Sequence, residues 1–459
     1  LKERKITCRA GLSPKPSPKL SSKLLLLAAI VLIVSSCQTK HAPSPGLKVY
    51  AAPTNKLSAS DRSEIFEIVW GTINEKYYDP SFRGVDWKAV GERYRPRMAA
   101  APNDQEFYAL FELMLAELRD DHTSFHGPPP GDAADDRDAP RAQPNRTLGL
   151  TLGEVEGQTI VTEVEAGGAA WRAGVKPGMI LRTVNGRAVE DIYREIRAVF
   201  PGASSERSMK NRMHRALLYG QFMTQPRTFG LVNSDGAEFT AQPELTPAAP
   251  SPHVAARRLA SNFGYIKFDS WTPPADRRFN EELAKLSGAP GLIIDLRANG
   301  GGQTDVLHNI AGNFFAAPTY TGGFRRRDGT LDRHATHVPE QLYRQPVVIL
   351  IDERSASASE TFTIFMQESR RAYVIGRQSS GSTLNARIQR VKGGGELRVS
   401  IRAYISPGGR NPEGTGVVPD QVAPLTISDL RQGRDAALEA AEAYLAAEVE
   451  RRKARRSRP

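Results

Sequence analysis

Three serines, Ser355, Ser357 and Ser359, stand on alternate positions in DERSASASETF, residues 352–362, with only alanines between them. The run follows PVVILI, whose length and β-branched content fit a buried strand. A serine hydroxyl is a weak nucleophile by itself and needs a base, an oxyanion site and an exposed position. The strand-to-helix junction offers the last two. A strand ending near Asp352 and a helix starting between Ser357 and Ser359, with Phe362, Phe365 and Met366 inward, leave unpaired N–H groups beside the serines. Such donors stabilise a developing oxyanion by about 3 kcal/mol each. Ala356 and Ala358 leave room for a substrate carbonyl. The same residues also fit plain N-capping, which on pattern alone accounts for at least two of the three hydroxyls.

Three other stretches could supply the rest. RDDHTSFH, residues 119–126, carries His122, and a neutral imidazole is the usual base for a serine when an acceptor orients it. His122 equally fits a cation at a helix C-terminus. GLIIDLRANGGG, residues 291–302, sets glycines after a second apolar run, where backbone approaches a substrate closely. NPEGTGVVPD, residues 411–420, carries Glu413. His126 lies at metal-ligand spacing from His122, but no third ligand or HExxH glutamate accompanies the pair. No metal or cofactor is expected. His334 and His337 lie in a polar stretch and are expected to be solvated.

The elements that must position these residues follow from periodicity. Ser60 and Asp61 read as start signals before Ile65, Ile68, Val69 and Ile73 at helical spacing. Asn103 caps a second stripe of Phe107, Leu110, Phe111, Met114, Leu115 and Leu118 that runs toward His122. Residues 128–146 and Glu244–Arg258 read as linkers. Between them, apolar and polar residues alternate with turns at EVEG, KPG and VNG. Beyond the second linker, FGYIKF, GLIIDLR, PVVILID, AYVIG and LRVSIRAYI alternate with helical stretches, an α/β layer pattern. Ser428–Leu445 reads as a surface helix.

AGGAAWRAGVKPGMILRTVNG resembles a PDZ domain, and Leu148, Gly149 and Leu150 match the loop whose N–H groups receive a peptide carboxylate. SASASE after an apolar strand resembles the nucleophile segment of the C-terminal processing (tail-specific) serine peptidases, family S41, and their tricorn-core-like relatives. The resemblance implies an α/β fold with a crotonase-like (ClpP-like) core, an N-terminal helical domain and a PDZ domain. It implies Ser357 as nucleophile, and the N–H groups of Gly302 and Ala358 as the oxyanion site. The tail-specific branch places a lysine base 25 residues after the serine, where this chain has Ser382. The histidine branch carries LxDGHT, matched here by LRDDHT, which implies His122 as base and Glu413 in a supporting polar role. In tricorn-like relatives the glutamate belongs to a tetrad with a serine preceding the histidine, and that neighbour here is Asp121. The implied activity is serine endopeptidase cleavage of protein or peptide substrates presented by the PDZ domain. The missing lysine and the DDHT variant leave a second reading: a catalytically inactive peptide- or ligand-binding protein on the same scaffold.

The net charge of +11 invites a nucleic-acid reading, but the charge sits at the ends. Residues 1–37 hold seven Lys/Arg and one acid, and the last nine residues hold six Lys/Arg. The remainder has 49 basic and 50 acidic residues, so no nucleic-acid partner is expected. Lys15, Lys19 and Lys23 precede an apolar run, Leu24–Val34, of signal-segment rather than membrane-spanning length. VSSC resembles a bacterial lipoprotein lipobox, which implies cleavage before Cys37, lipidation of its sulfur and attachment at the periplasmic face of a membrane. Gln38, not Asp, follows, which leans toward the outer membrane. The expected organisation is a signal at 1–37, a tether at 38–57, a helical domain at 58–130, and a PDZ domain with helical extension at 145–243. The catalytic core follows at 257–427, then a helix and basic tail at 428–459.

Overall fold

The computed structural model describes residues 57–128, 146–200, 202–219, 227–338 and 341–456. The expected lipidation site Cys37 and most of the expected 128–146 linker lie outside these residues. Among the described residues no helix is long and apolar enough to cross a membrane.

Helices α1 (Ala59–Lys76), α2 (Trp87–Ala99) and α3 (Asp104–Ala116) open the described chain. Ser58, not Ser60, caps α1: Asp61 N–H donates to its hydroxyl and the Asp61 carboxylate returns to the Ser58 N–H. Asn103 caps α3 by accepting the Glu106 N–H at 2.8 Å. Ile65, Val69 and Ile73 of α1 meet Phe107, Phe111 and Met114 of α3 in one core, which Leu397 and Val399 from far downstream complete. Strand β1 (Ser124–His126) explains this junction, since it pairs antiparallel with β18 (Gly395–Ile405).

Residues 146–247 carry β2 (Arg146–Thr147), β3 (Leu150–Val155), β4 (Gln158–Val164), α4 (Ala169–Arg172), β5 (Ile180–Val184), β6 (Arg187–Ala188), α5 (Val189–Val199), α6 (Glu206–Tyr219), β7 (Phe229–Val232), β8 (Glu238–Ala241) and β9 (Thr246–Pro247). The antiparallel sheet runs β3-β4-β5-β7-β8, which leaves β3 at an edge. Alternating residues of these strands and the buried faces of α5 and α6 form a second core.

The third part begins with β10 (Val254–Arg258), β11 (Gly264–Phe268), α7 (Ala275–Lys285), β12 (Leu292–Asp295) and α8 (Thr304–Gly312). It continues with β13 (Tyr320–Arg326), β14 (Leu331–Ala335), β15 (Val347–Ile351), α9 (Ala358–Glu368), β16 (Ala372–Gly376), β17 (Leu384–Val391), β18 and β19 (Gln421–Val422). A six-stranded sheet runs β10-β11-β12-β15-β16-β19, parallel except at β10. Parallel strands need both faces covered. Phe279, Phe362 and Phe365 of α7 and α9 cover one face. The other is covered by Ala437, Ala441 and Leu445, which corrects the expected surface helix. Gly433, at φ 67°, ends α10 (Ile427–Gln432), and α11 (Ala436–Arg456) starts afresh with its small residues against the sheet. β13, β14, β17 and β18 form a separate antiparallel sheet with β1.

β12 and β15 are parallel neighbours, so the glycine run and the serine run leave the sheet side by side at its carboxyl end. That end is where open parallel sheets form ligand crevices. Trp271 locks the two runs together. Its indole is fully buried against Phe268 and Phe362, and its N–H donates to Ser359 Oγ at 2.8 Å. The Ser359 hydroxyl in turn donates to the Asn299 carbonyl at 2.9 Å. Ser359→Ala strands the indole N–H and is expected to cost about 1–3 kcal/mol. A lowered urea midpoint at unchanged denaturant slope checks this.

Candidate active site

The structure sorts the three serines by what their hydroxyls hold. Ser355 is fully buried; its hydroxyl donates to the Leu296 carbonyl at 2.8 Å and accepts the Asp352 N–H at 3.0 Å. Ser359 is fully buried and bound to Trp271 and Asn299. Only the Ser357 hydroxyl, on a half-buried residue, is not used to fasten the turn to strand or indole. Its backbone sits at φ 55°, ψ −117°, where a non-glycine residue costs roughly 1–3 kcal/mol. Two bonds from its N–H hold it there: 2.8 Å to the Ser382 carbonyl, and 3.0 Å to the Glu360 carboxylate, the return half of a capping box.

Glu360, which no motif above singles out, is the acceptor that joins the two loops. It is fully buried, and besides the Ser357 N–H it accepts the Ser379 hydroxyl at 2.5 Å and the N–H groups of Gly381 and Ser382 at 2.7 and 2.9 Å. Burial pushes its pKa up and the four donors oppose that shift. Ser-x-x-Glu spacing, the capping-box signature, was present to find it.

Gly302 and Ala358 each carry a backbone N–H that reaches no acceptor among the described residues. The glycine run lies tight against the serine turn. A methyl group on Gly301, at φ 98°, would stand 2.6 Å from Ser357 Cβ and 2.9 Å from the Ala358 nitrogen. One on Gly302 would stand 2.5 Å from the Trp271 carbonyl oxygen. Glycine is what allows this approach.

Ser382, where a lysine base was looked for, sits beside the serine turn and accepts the Ser357 N–H through its carbonyl. Lys392 is excluded as a substitute. It lies in the turn joining β17 to β18 and binds Glu64 at 2.5 Å and Asp61 at 3.1 Å.

His122 is buried just beyond α3. Asp120 shapes its turn by accepting the His122 N–H at 2.7 Å and the Thr123 hydroxyl at 2.5 Å. The Thr123 hydroxyl accepts the Ser400 N–H of β18. Burial first, and then the Arg398 guanidinium, hold the imidazole below its ordinary pKa of 6.5, against Asp120 and Asp121. Nδ1 is buried without a partner, and no hydrogen bond joins the ring to Ser357 or to Glu413. Glu413 instead accepts the Thr383 N–H at 2.7 Å and faces Arg83 at 3.5 Å. Burial, then the Asp120 charge, raise its pKa to about 8.

Asp121 reaches the same loop. Its carboxylate accepts the Ser382 hydroxyl at 2.8 Å, the Ser204 N–H at 3.2 Å, Arg212 at 3.1 Å and the Ser208 hydroxyl.

Leu148, Gly149 and Leu150 belong to the 146–247 part and share none of these bonds. Gly149, at φ 71°, donates its N–H to Thr147 Oγ1 at 2.9 Å, and the Leu148 N–H faces the Tyr219 hydroxyl at 3.5 Å. Leu150 begins the edge strand β3. The expectation of solvated histidines is corrected for His334. It stacks on His308 of α8 at 5.4 Å with Nε2 buried. Among the described residues no cluster could hold a metal ion.

Residues 262–423 match the sequence model of peptidase family S41, and residues 58–116 that of the tricorn protease C1 domain. The chain is 26% identical over 383 residues to the chloroplastic C-terminal processing peptidase of Tetradesmus obliquus, covering 81% of this chain and 79% of that one. It is 24% identical over 397 residues to the carboxyl-terminal-processing protease of Synechocystis sp., covering 82% and 84%. The fold matches the photosystem II D1 C-terminal processing protease with TM-score 0.57 at 23% identity, over 84% of this chain and 97% of that one. It matches mature CPAF with TM-score 0.62 at 13% identity, over 85% and 96%.

The raised pKa of Glu413 has a stability consequence with a definite sign. A carboxyl that titrates near 4.5 unfolded and about 8 folded contributes fully below pH 4.5, and its contribution is lost as pH rises through about 8. Glu413→Gln is expected to flatten the decline of the urea midpoint between those limits relative to the unaltered protein.

Proposed function

We propose, from the premise that the chain is a serine-type peptidase whose residues 262–423 belong to family S41, that it cleaves protein or peptide substrates through an acyl-enzyme on Ser357. Ser357 Oγ attacks the scissile carbonyl and passes its proton to neutral His122. The carbonyl oxygen gathers charge between the N–H groups of Gly302 and Ala358. Collapse breaks the C–N bond, His122 protonates the departing amine, and water then releases the acyl group by the same route. The observation that carries this reading is the sorting of the hydroxyls. Ser355 and Ser359 are tied into the scaffold, and Ser357 is held in a strained turn packed against the glycine run. Catalytic hydrogen bonds are often long in a free enzyme and tighten with substrate, which is the role assigned to His122.

The substrate segment enters as an added strand on the open edge of β3 in a PDZ domain, with its carboxylate at Leu148–Leu150. The Thr147 and Tyr219 bonds to that loop must then give way. The enzyme works at the periplasmic face of a membrane, lipid-anchored through Cys37. The missing Ser357–His122 bond favours one rival reading, an inactive peptide-binding protein on this scaffold.

Ser357→Ala is expected to abolish cleavage of unfolded casein and labelling by a fluorophosphonate; retained turnover removes the assignment. Because His122 is held below 6.5, kcat/KM should keep its value down to that pH and fall only beneath it. A profile falling well above 6.5 points to a different base. Labelled palmitate should enter the unaltered protein and not Cys37→Ser in a bacterial host.

A further inference from the structure

Ser382 is held from three sides. Its N–H donates to Glu360 at 2.9 Å, its carbonyl accepts the Ser357 N–H at 2.8 Å, and its hydroxyl donates to Asp121 at 2.8 Å. The first two bonds belong to the nucleophile turn; the third leads out of it. Asp121 comes from the segment after α3, and its other donors are Ser204 and, on α6, Ser208 and Arg212. The Asp121 N–H returns to Ser204 Oγ at 3.2 Å. Ser205 and Arg207 add a second tie, donating to the carbonyls of Ser380 and Ser379 in the same loop.

The geometry points to Asp121 as a positioning residue for the peptidase reaction, clamping the Ser382 loop between α6 and the nucleophile turn so that the Ser382 carbonyl keeps Ser357 in its left-handed conformation. The tail-specific branch places a lysine at this position; here a hydroxyl bonded to a carboxylate fills it. Burial alone would raise the Asp121 pKa, but Arg212 and the Ser208 and Ser382 hydroxyls outweigh it and hold the carboxyl below its ordinary range. Arg212 faces the carboxylate from α6, and Asp120, His122 and Arg398 surround the neighbouring turn. The clamp is therefore charged throughout neutral pH and does not titrate with the base. Because the Ser357 N–H has a second acceptor in Glu360, loss of the clamp shifts the nucleophile and does not release it. A displacement of about 1 Å in a catalytic group costs on the order of 10²-fold in rate.

This inference rests on Ser357 being the nucleophile, so the two are tested separately in the full-length protein. Fluorophosphonate labelling of the unaltered enzyme, located by mass spectrometry, tests Ser357; no label there sinks the peptidase reading itself. Given that label, Asp121→Asn and Ser382→Ala are each expected to lower kcat for casein about 10²-fold with little change in KM. Ser382→Thr, which keeps the hydroxyl, should recover activity over Ser382→Ala. The double variant should lose no more than the worse single one. Normal kcat in either single variant, fully multiplied losses in the double, or a lowered unfolding midpoint with unchanged kcat all overturn the clamp. Should Asp121→Asn fail to fold, the comparison of Ser382→Ala with Ser382→Thr decides alone.

Discussion

One buried carboxylate organises the carboxyl end of the parallel sheet. Glu360 gathers an N–H from the serine turn and three donors from residues 379–382, and each of those groups would otherwise be stranded in the interior. An isolated buried charge is costly, and so is each unsatisfied donor. The arrangement resolves both at once, and it fixes the relative placement of two loops that share no regular pairing. Ser357 can hold a left-handed backbone because its N–H points at this acceptor and at the Ser382 carbonyl.

The parallel sheet supplies the rest of the precision. β12 and β15 are adjacent, so their following loops emerge together, and Trp271 fastens one to the other through Ser359. The glycines then act by what they lack. Gly301 leaves its side-chain space to Ser357 and the Ala358 nitrogen. His122 arrives from a different core, through a turn that Asp120 and Thr123 pin to β18.

Much of this was readable from residue order. The strand before the serines, the helix after them, the Asn103 cap and the apolar stripes all follow local rules that the fold obeys. The role of each serine was not readable, because it depends on Leu296, Asn299 and Trp271, partners set by strand adjacency rather than by spacing. Glu360 was legible in principle from Ser-x-x-Glu spacing, yet the pattern predicts a cap and says nothing of the 379–382 loop. Asp121 showed only as a mismatch. Its bonds to Ser208 and Ser382 join residues 87 and 261 positions away, which no periodicity reports. The last helix was misjudged because alanines look bland in a sequence, while against a parallel sheet small residues allow close packing.

β18 has a consequence beyond pairing. On one stretch it meets β1 and β17, and on the next β13, while Leu397 and Val399 sit among the side chains of α1 and α3. The first helices therefore share an interior with the last long strand. Shortening the chain to begin after residue 126 would bare that apolar surface to water and delete the imidazole in the same stroke. Excision of the sheet that bears Ser357 would part it from the helices that shield Leu397 and Val399.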